Sequence, residues 1–98
     1  MKPTNLLLAS LVTIGVSADW CKDRWVYCGR SLLNKGNYLE DIRHALQKAG
    51  ESGDDAHVTD SLFYCNGRKD INGIDFIKFC GRSECRNRGI LRDDNCDD

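Results

Sequence analysis

Between residues 37 and 50 apolar and charged positions alternate with the period of an α-helix. Leu39, Ile42, Leu46 and Ala49 fall on one face, and Glu40, Asp41, Arg43, Gln47 and Lys48 fall elsewhere, as in a helix that buries a single stripe. The spacing predicts a helix over Tyr38 to Ala49. Asn37 stands where its side chain can accept from the free amides of the first turn, and Glu40, three residues on, completes a capping box. Gly50 is placed to end the helix. Just upstream, Ser31 is placed to start a single turn of helix through Leu32 and Leu33, which Gly36 would stop by entering left-handed geometry.

Elsewhere the apolar runs are short and rich in aromatic and β-branched residues. Leu62-Phe63-Tyr64-Cys65, bounded by Asp60-Ser61 and Asn66-Gly67, reads as a strand. Ile74 to Cys80 reads as a second, although a helix from Asp75 through Arg82 competes because Ile74, Ile77 and Cys80 approach helical spacing. Between them, Arg68 to Gly73 ends in Asn-Gly, a dipeptide suited to the positive backbone angles of a hairpin turn. Asp19 to Tyr27, with Trp20, Trp25, Val26 and Tyr27, reads as a first strand. It would send Cys21 and Cys28 to opposite faces, since their separation is odd. Glu51 to Asp55 reads as a solvated loop, and the tail from Gly81 has no apolar periodicity beyond Ile90-Leu91. The predicted class is α+β: one main helix packed on a small antiparallel sheet and stapled by disulfides.

The start of the chain changes the picture of where this domain begins. Lys2 precedes an apolar run from Leu6 to Val16, and Val16-Ser17-Ala18 supplies small residues ahead of Asp19, the layout of a secretory signal peptide. Residues 1–18 are expected to be that leader and residues 19–98 a single cysteine-rich secreted domain of 80 residues (98 less 18). Losing Lys2 lowers the 14 basic residues to 13, against 15 acidic ones. This balance offers no general attraction to nucleic acid or anionic lipid. No stretch after the leader is apolar enough to span a bilayer, so no membrane association is expected once it is removed.

So short a chain buries too little surface for its core alone to outweigh chain entropy. The six cysteines, Cys21, Cys28, Cys65, Cys80, Cys85 and Cys96, answer that need. An even count in a small secreted chain reads as three disulfides, with 15 connectivities open. Cys28 stands where the first strand meets the helical segment, so a bridge from it to Cys65 or Cys80 would tie that junction to the hairpin. The working assignment is Cys21 with Cys85, Cys28 with Cys65, and Cys80 with Cys96. Zinc would need closely paired ligands, but no C-x-x-C or H-x-x-x-H occurs, and no metal or other cofactor is expected.

Catalytic signals are sparse. No nucleophile elbow, zinc-protease motif, phosphate loop or dinucleotide fingerprint occurs, and no Asn-x-Ser/Thr glycosylation site is present. The sharpest enzymatic reading is a ribonuclease, with His44 and His57 as acid and base, Glu40 or Glu84 beside them and Arg82 on the phosphate. His44 lies one turn from Glu40, however, and an ordinary helical side-chain contact accounts for it. The reading is therefore a protein without catalytic residues. Arg82, Arg86, Arg88 and Arg92 give the tail a local positive charge closed by Asp93, Asp94, Asp97 and Asp98. This segment reads first as a solvated surface and second as a partner-contact patch carried by Arg86, Arg88 and Arg92. Trp20 and Trp25 read first as core filler and second as a contact surface for sugar or protein.

Taken together, the leader, "YCGRSLLNKGNYLEDI", "HVTDSLFYCNG", "FIKFCGRSEC" and a terminal cysteine resemble the small secreted cysteine-rich effectors of plant-associated filamentous fungi, the biotrophy-associated secreted proteins among them. The resemblance covers Tyr27 to Cys96. It implies a secreted, disulfide-bonded protein delivered to a host, and it brings no catalytic residues with it. The expected function is that of a monomeric effector, in the host apoplast or, after delivery, the host cytoplasm, which binds a host protein and modulates immunity or colonisation. The charged tail "RSECRNRGILRDDNC" departs from the glycine-rich end of that group. The alternative is a secreted toxin or antimicrobial protein, with ribonuclease activity as its testable form.

Overall fold

A computed structural model describes residues 21–89 and 92–97. The expected leader, Trp20 and the Ile90-Leu91 pair lie outside the described residues. The elements run β1 (Val26–Cys28), α1 (Gly29–Lys35), α2 (Leu39–Lys48), α3 (Asp55–Asp60), β2 (Ser61–Cys65), β3 (Ile74–Phe79), β4 (Cys85–Arg86) and β5 (Asn95–Cys96). β1, β2 and β3 form an antiparallel sheet with β2 in the centre, and β4 pairs with β5 in a separate ribbon. The chain is thus an α+β domain stapled by three disulfides.

Two-residue alternation along β2 divides the interior. Phe63 and Cys65 join Leu32, Ile42, Leu46, Val58 and Ile74 in the main core. Leu62 points the other way, into a smaller cluster with Cys28 and Cys85, as successive strand residues must. Phe63 is fully buried and meets Phe76 edge-on, with centroids 6.1 Å apart, a favoured aromatic geometry. β3 forms as a strand, and its pairing with β2 shifts between Leu62 and Phe63. That irregularity leaves Ile77 without a register partner and exposed, so the extra residue absorbs the apparent helical spacing.

The main helix buries Ile42, Ala45 and Leu46. Ala49, expected on that face, is exposed, and Gly50 follows it with φ +75°. The predicted cap is corrected: Tyr38 occupies the N-cap position without a side-chain cap hydrogen bond, and Asn37 is exposed. Tyr38 is buried, and its hydroxyl accepts the Cys21 N–H at 2.7 Å. Burying that ring sets the helix entry more strongly than one exposed cap would. Gly36 ends α1 in extended geometry, φ −173°, and not in the left-handed region expected of it. Positive φ in the β2–β3 connection belongs to Gly67. At Gly73 the requirement is proximity, because a Cβ there would collide with the Arg68 carbonyl.

The helical turn expected from Ser31 to Gly36 forms as the longer α1, and α3 is a helix the sequence reading did not include. α1 opens at Gly29, where a Cβ would collide with the Val58 carbonyl of α3, so the absent side chain lets the two segments touch. α3 begins inside the stretch read as loop, and Asp54 caps it by accepting the His57 N–H at 2.8 Å. The first strand is also shorter than predicted, since residues 21–25 are irregular.

The disulfides are Cys21–Cys65, Cys28–Cys85 and Cys80–Cys96. The assignments Cys21–Cys85 and Cys28–Cys65 are therefore corrected. Sheet parity is the reason. Cys28 pairs in register with Leu62, and Cys65 is an odd number of residues from Leu62, so their side chains leave opposite faces. Cys65 and Cys21 meet in the main core, and Cys28 and Cys85 meet beneath the ribbon.

Candidate ligand-binding groove

The groove forms where the tail folds back onto β1. β1 uses one edge to pair with β2, leaving backbone donors and acceptors on the other. Asp93 and Asp94 cover them. The Val26 N–H donates to Asp93 Oδ1 at 2.9 Å, the Asp94 N–H donates to the Val26 carbonyl at 3.0 Å, and the Cys28 N–H donates to Asp94 Oδ2 at 2.9 Å. Asp94 also accepts from Ser31 Oγ at 2.7 Å and from the Arg88 N–H at 3.0 Å. Its carboxylate is buried, 4% exposed, and these donors offset the loss of water. Two acids of the apparently solvated tail thus seal an open strand edge.

Beside this clamp lies a groove of about 430 Å³, a size typical of small-molecule sites. Trp25 and Tyr27 form its aromatic wall. Tyr27 lies in β1 and Trp25 in the irregular stretch just before it, and both line the groove. The Tyr27 hydroxyl accepts the Lys22 N–H at 3.0 Å, and the Lys35 ammonium sits over the Tyr27 ring, 5.9 Å from its centroid. Lys22 and Arg92 also line the groove. Both are exposed, and neither forms an ion pair among the described residues. Asn34 and Asn87 add amides, and among the described residues only the Asn87 carbonyl oxygen is engaged, by the Gly89 N–H at 2.7 Å. Since Asp94 is consumed by its donors, the wall facing a ligand is cationic and aromatic.

The residues weighed for catalysis are elsewhere and apart. His44, on α2, places Nε2 3.0 Å from Asn72 Oδ1 and borders a shallow depression with Glu40 and Arg43. His57, on α3, stacks on Phe79 with centroids 3.9 Å apart, and its Nδ1 lies 2.7 Å from Asp54 Oδ1. The His57 N–H and ring hold the Asp54 carboxyl below the usual aspartate range. Among the described residues the two histidines share no partner, and neither bonds to Arg82 or Glu84. Each has a local structural task, one at a loop and one at a helix start.

The three arginines named for partner contact separate. Arg86 pairs with Asp97 at 2.9 Å and Arg88 Nε donates to Asn95 Oδ1 at 2.7 Å, both across the β4–β5 ribbon. Arg92 alone of the three lines the groove. Trp25, read first as core filler, is only partly buried and belongs to neither core cluster. Lys22, Tyr27, Asn34, Lys35 and Asn87 went unmarked because no local pattern joins residues 22–35 to residues 87–94. The alternation of Trp25 and Tyr27 was the one signal within reach. No family model, curated protein or solved structure matches the chain.

Proposed function

We propose that this chain is a secreted effector-type protein of a plant-associated fungus. It acts by binding a host component through the Trp25–Arg92 groove and so modulates host immunity or colonisation, in the apoplast or in the host cytoplasm after delivery. The observation that carries this reading is the division of labour among polar groups. The histidines and the tail acids are tied into the scaffold, whereas Lys22 and Arg92 flank an aromatic wall without ion-pair partners among the described residues. Spare cations beside aromatic faces suit recognition. The three disulfides accord with an oxidising compartment.

The test is infiltration of purified oxidised protein into leaves, with readout of the elicitor-triggered oxidative burst and of fungal colonisation. Wild type should alter both. Trp25→Ala, checked for native circular dichroism, should lose the effect, while His44→Ala and His57→Ala keep it. RNA cleavage by the purified protein, abolished by either histidine replacement without unfolding, would replace this reading with a secreted ribonuclease toxin.

A further inference from the structure

The groove combines three kinds of contact that one ligand class needs together. Trp25 offers a flat apolar face and an indole N–H with no partner among the described residues. Asn34 and Asn87 offer amides that can donate to and accept from hydroxyls. Lys22 and Arg92 offer positive charge at the rim, and Lys35 adds a third cation over the Tyr27 ring. A sugar ring presents a C–H face to an aromatic plane and hydroxyls at its edge. A sugar acid adds a carboxylate, which forms strong charge-assisted hydrogen bonds with lysine and arginine. An acidic peptide could meet the cations and, through its backbone, the amides, but it does not set a flat C–H face beside its carboxylates as a uronate ring does. A long nucleic acid would meet a chain with net charge −1, whose field outside the groove does not attract it.

We infer that the groove takes a short oligomer of uronic acid, its ring faces against Trp25 and its carboxylates on Lys22 and Arg92. This rests on the groove being the host contact, and it departs from the host protein expected as the partner.

Isothermal titration of the oxidised protein with oligogalacturonate tests it, with neutral oligogalactose of equal length, polyglutamate and single-stranded RNA as parallel probes. Oligogalacturonate should bind and weaken with added salt. Lys22→Gln combined with Arg92→Gln should weaken it by about tenfold or more, as expected for lost charge-assisted hydrogen bonds. Both positions are exposed, so the fold is retained, and an unchanged thermal midpoint verifies this. Trp25→Ala should abolish binding. Absence of oligogalacturonate binding overturns the inference, as does equal binding of the neutral oligomer, tighter binding of polyglutamate or RNA, or undiminished binding by the groove variants. The two readings fail separately. Should Trp25→Ala lose its effect in leaves while no uronate binds, the ligand class is wrong and the groove stands. Should Trp25→Ala lose uronate binding and keep its effect in leaves, the sugar site stands and the functional reading falls.

Discussion

The backbone N–H of Cys28 donates to the carboxylate of Asp94, 66 residues further along the chain, at 2.9 Å. The same carboxylate holds Ser31 and the Arg88 N–H, so one buried acid joins the end of β1, the first turn of α1 and the tail. Asp94→Ala strands these donors, and each buried unsatisfied donor costs about 1–3 kcal/mol. Urea denaturation of the oxidised protein should show a clearly lower midpoint, and an unchanged one would mean that the tail does not seal β1.

The disulfide assignment can be read from a non-reducing proteolytic digest. Peptides joining Cys21 to Cys65, Cys28 to Cys85 and Cys80 to Cys96 are expected, and a stoichiometric Cys28–Cys65 peptide would contradict the sheet parity. The bridges should also differ in worth. Cys28–Cys85 spans 57 residues and Cys80–Cys96 spans 16, so loop entropy alone predicts losses of about 4 and about 3 kcal/mol on their removal. Paired serine replacements compared by denaturation check that order.

Helix capping gives a contrast between two short polar side chains. Asp54→Ala removes the cap of α3 and should cost about 0.5–2 kcal/mol. Asn37 is exposed and caps nothing, so Asn37→Ala should stay within about 0.5 kcal/mol of wild type. Thermal unfolding of the two variants side by side decides it, and the reverse order would place the helix start at Asn37.

Acid should weaken the fold partly through Asp60. Burial pushes its carboxyl up, but the Thr59 hydroxyl, the N–H groups of Ser83 and Cys85 and the Arg30 guanidinium outweigh that and hold it below the ordinary aspartate value. A lowered folded-state value means that ionised Asp60 stabilises the fold fully above the unfolded aspartate value of about 3.9. The contribution is lost as pH falls from there through the folded-state value. Asp60→Asn should therefore flatten stability against pH in that acid window while lowering stability at neutral pH. A slope equal to wild type would show that other carboxylates carry the acid response.

Much of this protein was legible in local pattern, because local pattern is what helix and strand formation respond to. The stripe of Ile42 and Leu46 placed α2, and Leu62 to Cys65 with Ile74 onward placed the two longer strands. The even cysteine count anticipated the bridges. α3 was hidden because a six-residue helix is too short for periodicity and starts within a run of acids, although Asp54 three residues before His57 was a readable cap. Disulfide partners were beyond reach for a different reason: they follow from strand register, which depends on long-range pairing of β1 with β2, and a shift of one residue exchanges the two faces. The groove belongs to the same class. Lys22, Trp25 and Arg92 become neighbours only because Asp93 and Asp94 dock on the open edge of β1, and that edge exists only once the sheet has formed.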